Sequence, residues 1–145
     1  MKAALAKAVR SLFETNLTQR LPRFHSLESQ KVFPGARIYR WDSTAQVSFL
    51  LMVMVSPKGN SFTVECAWSE SGEWPASVLS NGPDDPPRQG AVRFRIGQLW
   101  GAADFWWRPR IAPTPEEQVG PAVQDAIERI ERYVIPFFEK VEAGR

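Results

Sequence analysis

Residues 46–68 read QVSFLLMVMV-SPKGN-SFTVECAW, and this stretch decides the fold. Residues 47–55 are apolar except for Ser48, which is typical of a central strand covered on both faces. Residues 62–68 alternate with a period of two, the pattern of a strand with one buried and one exposed face. Pro57 and Gly59 between the two runs predict a turn. The stretch therefore predicts a β-hairpin whose second strand exposes one face.

Composition limits the class of protein. The chain has 145 residues, which predicts a single domain over residues 1–145. One cysteine excludes an internal disulfide framework and a thiolate zinc cluster, and it suits the cytoplasm. No apolar run reaches the roughly 18 residues of a membrane span, and the charged start of the chain does not resemble a signal peptide. We therefore expect a cytoplasmic protein without a membrane partner.

The segments outside the hairpin predict two terminal helices and further strands. Apolar residues recur at helical spacing over 5–17, ahead of Pro22. Residues 36–41 and 91–99 have strand character. Near the C-terminus, Thr114, Pro115 and Glu117 form the start signal of a helix.

These elements predict an α+β fold in which a single antiparallel sheet of about five strands packs on the N- and C-terminal helices. Both helices are expected on one face of the sheet. Within the C-terminal helix, residues 120–121 (Gly-Pro) predict an interruption, and Pro136 predicts a kink. The residues expected in the core are Val53, Val64, Phe94, Ile130 and Val134.

Residues 69–90 contain four prolines and three glycines and predict a long irregular loop. A short helix is expected over 76–79, after Pro75. Trp74, Asp84 and Asp85 are expected in the exposed part of this stretch. Long loops without secondary structure are often functional, so this one is a candidate binding element.

The residue types that carry catalysis are sparse. His25 is the only histidine, and Cys66 falls in the core-facing phase of its strand, where burial makes a thiol inert. We therefore predict no catalytic, cofactor-binding or metal-binding residue. A hydrolase that uses Asp84, Asp85 and Arg88 is the weakest alternative, because adjacent carboxylates in a loop do not define acid and base roles.

A second alternative rests on arginines interleaved with aromatic residues. Arg93, Arg95, Arg108 and Arg110 flank a segment rich in tryptophan, and such a surface can bind single-stranded nucleic acid or an acidic ligand. The opposing interpretation is that the arginines pair with carboxylates such as Glu65 while the aromatic rings fill the core. The net charge of +2 is small for a dedicated nucleic-acid binder.

The last third of the chain carries a resemblance. The motifs RIGQL (95–99), DFWW (104–107) and IPFF (135–138) resemble a family of small bacterial proteins that is known only as a domain of unknown function. These motifs are structural in character, so the resemblance assigns no catalytic residue. In size and style the chain is also similar to immunity proteins, which neutralise toxins exchanged between competing cells.

The function expected from the sequence is non-enzymatic protein binding, with a toxin as one possible partner. Trp and Arg are enriched at the energetic centres of interfaces. Neighbouring residues of an extended segment point to opposite sides, so one of Trp106 and Trp107 should be partly exposed or covered by the loop. An exposed ring that faces Asp84 or Asp85 would form a mixed aromatic and charged patch, and the alternative is that both rings lie in the core. The candidate interface residues are Trp74, Asp84, Asp85, Trp106, Trp107 and Arg108.

Overall fold

The computed structural model describes residues 2–28, 30, 32, 34–80 and 82–145. Its elements in chain order are α1 (Lys2–Arg20), β1 (His25–Ser26), β2 (Ala36–Asp42), β3 (Ser48–Val55), β4 (Phe62–Ser69), β5 (Ala91–Arg95), a 3-10 helix (Ile96–Trp100), α2 (Pro115–Arg129), a π-helical turn (Ile130–Val134) and α3 (Ile135–Ala143). The predicted α+β fold is confirmed.

The five strands form one antiparallel sheet in the order β1-β2-β3-β4-β5. The predicted hairpin is confirmed, because β3 and β4 pair along their full length from Ser48↔Ser69 to Val55↔Phe62. Gly59 has a φ of 66°, a left-handed conformation that glycine adopts without steric cost and that the hairpin turn requires. β3 and β4 thus form the centre of the sheet.

One face of the sheet packs against the helices and is almost entirely apolar. Val53, Val64 and Phe94 from the strands meet Ile130 and Val134 from the C-terminal helical segment, and all five are fully buried. The predicted core is therefore confirmed, and so is the placement of both terminal helices on one face. The Phe138 ring stacks on the Phe49 ring at 4.5 Å between centroids, which closes one end of this core.

The opposite face, which we call the back face, is also buried. Its apolar cluster comprises Ile38, Leu50, Met52, Met54, Ala67 and Trp74. The prediction that β4 exposes one face was wrong, since all eight of its residues, including Thr63 and Glu65, are buried. The alternation in β4 separates apolar from polar neighbours, but the polar side is covered by another part of the chain.

α2 begins as the sequence predicts but continues past its predicted interruption. The Thr114 hydroxyl accepts a hydrogen bond from the Glu117 amide at 3.2 Å, and Pro115 occupies the first turn. Pro121 lies inside α2, so the interruption predicted at residues 120–121 was wrong. Proline lacks the N–H that would bond to the Glu117 carbonyl, and the Arg110 Nε donates to that carbonyl at 3.1 Å instead.

A π-helical turn lies directly before the second proline, Pro136, where the sequence predicts a kink. Pro136 lies in the first turn of α3, directly after the π-helical turn, and the Ile135 amide donates to the Ile130 carbonyl five residues back. A wider turn at this point accommodates a proline ring that would clash in a continuous α-helix. Ile130 and Val134 remain buried through the turn.

The strand predicted over 91–99 ends earlier, at Arg95. The 3-10 helix that follows brings Gly97 against the side chains of Phe105 and Ala102, where an added Cβ would lie 3.0 Å and 3.1 Å from their Cβ atoms. Glycine fits this close approach without displacing its neighbours. The chain therefore turns away from the sheet at Arg95 and returns through the aromatic segment.

Candidate functional site

The loop over residues 69–90, which we call the anchored loop, covers the back face with its first half. Trp74 inserts into the back-face cluster and is 2% exposed. The Gln30 side chain donates to the Trp74 carbonyl at 2.9 Å and accepts from the Trp74 amide at 2.5 Å. The expectation that Trp74 lies in an exposed stretch was wrong, because the back face offers an apolar surface that the indole buries.

Side chains from the sheet donate hydrogen bonds to four backbone carbonyls of the anchored loop. Arg40 Nη1 donates to the Gly72 carbonyl at 3.1 Å, and Ser69 Oγ donates to the Glu73 carbonyl at 2.7 Å. Arg93 Nη1 donates to the Val78 carbonyl at 3.2 Å and to the Ala76 carbonyl at 3.4 Å. The short helix predicted over 76–79 does not form, and these residues form turns instead. Sheet side chains thus take the place of helical hydrogen bonds.

Arg93 also neutralises the buried carboxylate of the back face. Its Nε lies 2.8 Å from Glu65 Oε1, and the Glu65 side chain is only 2% exposed. The Arg93 guanidinium lies 5.7 Å from the centre of the Trp74 ring. One residue therefore joins β5, β4 and the anchored loop.

The second half of the anchored loop is exposed to solvent. Leu79 is 70% exposed, although large apolar side chains are usually buried. Asp84, Asp85, Pro86 and Pro87 are exposed as well. Asp85 Oδ2 accepts from the Gly82 amide at 2.7 Å, which holds the turn in one conformation. The exposed end thus combines one apolar side chain with two carboxylates.

The aromatic segment extends the sheet at the start of β4. Phe62 and Trp107 exchange backbone hydrogen bonds of 3.0 Å and 2.8 Å, and their rings stack at 5.4 Å. This pairing turns Trp107 inward, where it is 5% exposed, and leaves Trp106 half-buried on the other side. The expectation that one of the two tryptophans is partly exposed is therefore confirmed for Trp106.

Trp106 does not contact the aspartates of the anchored loop. Its Nε1 donates to Asp104 Oδ2 at 3.0 Å, and Asp104 pairs with Arg95 at 3.2 Å. The carboxylate that binds the indole is thus Asp104, two residues away in sequence, and no described hydrogen bond joins Trp106 to Asp84 or Asp85. The structure therefore divides the predicted interface into the anchored loop and a region around Trp106 and Arg108.

Three of the four arginines proposed for nucleic-acid binding have partners within the protein. Arg93 pairs with Glu65, Arg95 pairs with Asp104, and Arg110 donates to the Glu117 carbonyl. Arg108 is exposed and forms no ion pair with any described residue. The pairing of Arg93 with Glu65 agrees with the opposing interpretation, in which the arginines bind carboxylates.

Arg108 and Trp106 line a cleft of about 510 Å³ beside the β3–β4 turn. We call it the turn cleft and define it by Ser56, Pro57, Lys58, Asn60, Ser61, Trp106 and Arg108. Sequence reasoning missed Lys58 here, and it also missed the exposure of Leu79. The signal for Lys58 was its place at the tip of a predicted hairpin turn, where a side chain points into solvent.

A larger cavity of about 660 Å³ lies at the other edge of the back face. Its lining combines apolar Leu27, Val32 and Ile38 with Glu28 and Arg37. Arg37 Nη1 donates to the carbonyl of its neighbour Ala36 at 3.0 Å. The described lining holds no pair of facing carboxylates and no histidine, so it provides no acid–base pair.

Two further observations concern reactive groups and membranes. Burial, with a smaller contribution from the Glu65 carboxylate, raises the pKa of the Cys66 thiol, so the thiolate is disfavoured. In the part of the chain that the structure describes, no three His, Cys, Asp or Glu side chains are grouped to hold a metal ion. None of the described helices has the length and apolarity to cross a membrane.

Comparisons with known proteins identify no relative of this chain. No family model matches it, and neither does a curated protein or a solved structure. The resemblance noted from the RIGQL, DFWW and IPFF motifs stays a prediction. The candidate binding features of this chain are therefore the anchored loop and the turn cleft.

Proposed function

We propose that this protein is a non-enzymatic protein-binding domain whose contact surface is the exposed end of the anchored loop. The observation that supports the proposal is the contrast within that loop. Its first half is tied to the back face by Trp74 and Arg93, while its second half exposes Leu79 at 70% and also exposes Asp84 and Asp85. The exposed end therefore follows directly from a segment that is bonded to the sheet, and it is open to a partner.

The physical advantage of such a loop is a low entropic cost of binding. Ordering a flexible loop on association reduces affinity, whereas a loop that is ordered beforehand avoids this loss. Burying an exposed leucine such as Leu79 contributes about 1.5–3 kcal/mol. The two aspartates select a partner with a basic surface and increase the association rate at low salt.

The specific form that we propose is an immunity protein that neutralises a toxin. It rests on the likeness in size and style to immunity proteins and on the absence of a catalytic constellation from the sequence. Neutralisation requires a stable complex and no chemistry, which fits a rigid acidic loop. The partner would then be a toxin with a basic surface complementary to Asp84 and Asp85.

The test combines capture, titration and a biological readout. The partner is isolated from native lysate, identified and titrated against the variant Asp84→Lys with Asp85→Lys. We expect binding to be lost while the free energy of unfolding changes by no more than about 0.5–1 kcal/mol, since both residues are exposed. In cells that express the partner, the natural protein should prevent toxicity and the variant should not.

The matched control is Glu128→Lys with Glu139→Lys, which makes the same charge change at exposed helical positions. This control should bind like the natural protein. Normal binding by the Asp84 and Asp85 variant, or equal losses in both variants, would contradict the proposed surface. A partner that causes no toxicity would leave protein binding standing and would refute the immunity function.

A further inference from the structure

We propose that the turn cleft binds a small molecule that contains both a planar aromatic ring and a phosphate group, as a nucleoside monophosphate does. The inference is independent of the proposed protein-binding function, because it uses none of the residues of the anchored loop. With about 510 Å³ of space, the cleft falls within the range of small-molecule sites, roughly 300–1,000 Å³.

The walls of the turn cleft are held in place before any ligand binds. On one side, the Ser56 amide donates to the Ser61 carbonyl at 2.9 Å, and the Ser56 hydroxyl donates to Asn60 Oδ1 at 3.0 Å. On the other side, the paired backbones of Phe62 and Trp107 fix the segment that carries Trp106 and Arg108. The backbone on both sides of the turn cleft is therefore ordered, and the Lys58 and Arg108 side chains extend from it into solvent.

The charge of the turn cleft favours a dianion. Lys58 and Arg108 are exposed, and neither forms an ion pair with a described residue. The lining contains no carboxylate. The hydroxyls of Ser56 and Ser61 already donate to Asn60 Oδ1, so the two cations are the groups that attract an anion. A phosphate, which carries up to two negative charges and several acceptor oxygens, matches two cations better than a single carboxylate does.

The aromatic wall selects a planar group. Trp106 is half-buried, and the bond from its Nε1 to Asp104, itself paired with Arg95, fixes the orientation of the indole. The indole N–H is already bonded to Asp104, so the ring offers a ligand an aromatic surface and no free donor. Tryptophan rings bind planar bases by stacking in many nucleic-acid-binding proteins.

The experiment uses the full chain and three probes in calorimetric titrations: adenosine 5′-monophosphate, adenosine and inorganic phosphate. We expect saturable binding of the monophosphate with a Kd below about 1 mM at low salt. Adenosine and phosphate should each bind at least about tenfold more weakly. Binding should weaken as salt rises, since exposed charges are screened.

Substitutions in the lining of the turn cleft test whether the monophosphate binds there. Lys58→Gln with Arg108→Gln should lower the affinity about tenfold or more, whereas the control Lys7→Gln with Lys140→Gln, which removes two exposed charges elsewhere, should not. Trp106→Leu should remove the preference for the monophosphate over inorganic phosphate, and Trp106→Phe should retain it. Asp84→Lys with Asp85→Lys should bind the monophosphate normally, even if it fails to bind a protein partner.

Three results would overturn the proposal. The first is no saturable binding of the monophosphate at low salt. The second is an equal loss in the Lys58 and Arg108 variant and in its charge-matched control. The third is a preference for the monophosphate that survives Trp106→Leu in a protein whose thermal unfolding is unchanged.

Discussion

Both faces of the sheet are buried at the central strands β3 and β4, but they are covered in different ways. The helix-covered face packs apolar side chains against regular helices, with Val64 and Ile130 both inaccessible to solvent. The back face is covered by an irregular loop, and beneath that loop lies the Glu65–Arg93 ion pair. A regular helix satisfies its own backbone, but a loop needs partners from the sheet.

The helix-covered face contributes mainly to stability, whereas the back face positions the anchored loop. The helix-covered face provides a continuous hydrophobic core, the main favourable term in folding. The back face uses polar side chains such as Arg40 and Arg93 to hold the backbone of the anchored loop, whose far end then exposes Leu79. Substitutions on the two faces should therefore have different consequences.

The largest effect is expected on the helix-covered face. Ile130→Ala leaves a cavity under a fully buried side chain and should lower the free energy of unfolding by about 2–5 kcal/mol. Urea unfolding measures it, with Leu79→Ala as the exposed control that should change stability by less than about 0.5 kcal/mol. A loss under about 1 kcal/mol for Ile130→Ala would contradict the packing of the C-terminal helical segment on the sheet.

On the back face, Arg93→Met should have an intermediate effect with a local signature. It leaves the Glu65 carboxylate buried without its partner, and we expect a loss of about 1–3 kcal/mol, because Arg93 itself is partly exposed to water. Hydrogen exchange should accelerate in residues 74–78, where the Arg93 bonds to carbonyls are lost.

A double-mutant cycle with Glu65→Gln provides the control for the ion pair. The loss caused by Arg93→Met should be smaller when residue 65 is uncharged. An unchanged loss would show that the contribution of Arg93 to stability does not depend on the Glu65 charge. An acceleration of exchange that is equal in α1 would show that Arg93 does not hold the anchored loop specifically.

The smallest effect is a pH dependence that belongs to the helix-covered face. Burial and, to a lesser extent, the Glu14 carboxylate raise the pKa of Tyr39, and burial raises the pKa of Cys66. Both groups hold their protons more tightly in the folded state. Their stabilising contribution is therefore complete below the ordinary pKa values of the unfolded chain, roughly 8.5 and 10, and is lost as the pH rises above them.

Between about pH 8 and about pH 10, the natural protein should lose about 1–2 kcal/mol more stability than the variant Tyr39→Phe with Cys66→Ala. Urea unfolding at a series of pH values measures the difference. If the free energy of unfolding changes with pH equally in the two proteins, folding does not raise the pKa of Tyr39 or Cys66.

The sequence predicted the elements whose signals are local. The alternation in residues 62–68 and the turn at Gly59 are enough to specify the hairpin, because strand periodicity and left-handed backbone depend on neighbouring residues. Thr114 and Pro115 likewise mark the start of α2. At the candidate site, alternation alone predicted that Trp106 and Trp107 point to opposite sides.

Only the tertiary structure decided what covers the back face and which charges are left without partners. Trp74 is buried because strands β2, β3 and β4 together form an apolar surface, which no short stretch of sequence shows. Pro121 lies inside α2 because Arg110, eleven residues earlier, binds the carbonyl that the proline leaves without a partner. Arg93 is neutralised by Glu65 while Arg108 is not, because antiparallel pairing of β4 and β5 brings only the first to a carboxylate. Contacts of this kind join residues far apart in the chain, so they depend on the assembled fold and not on local propensity.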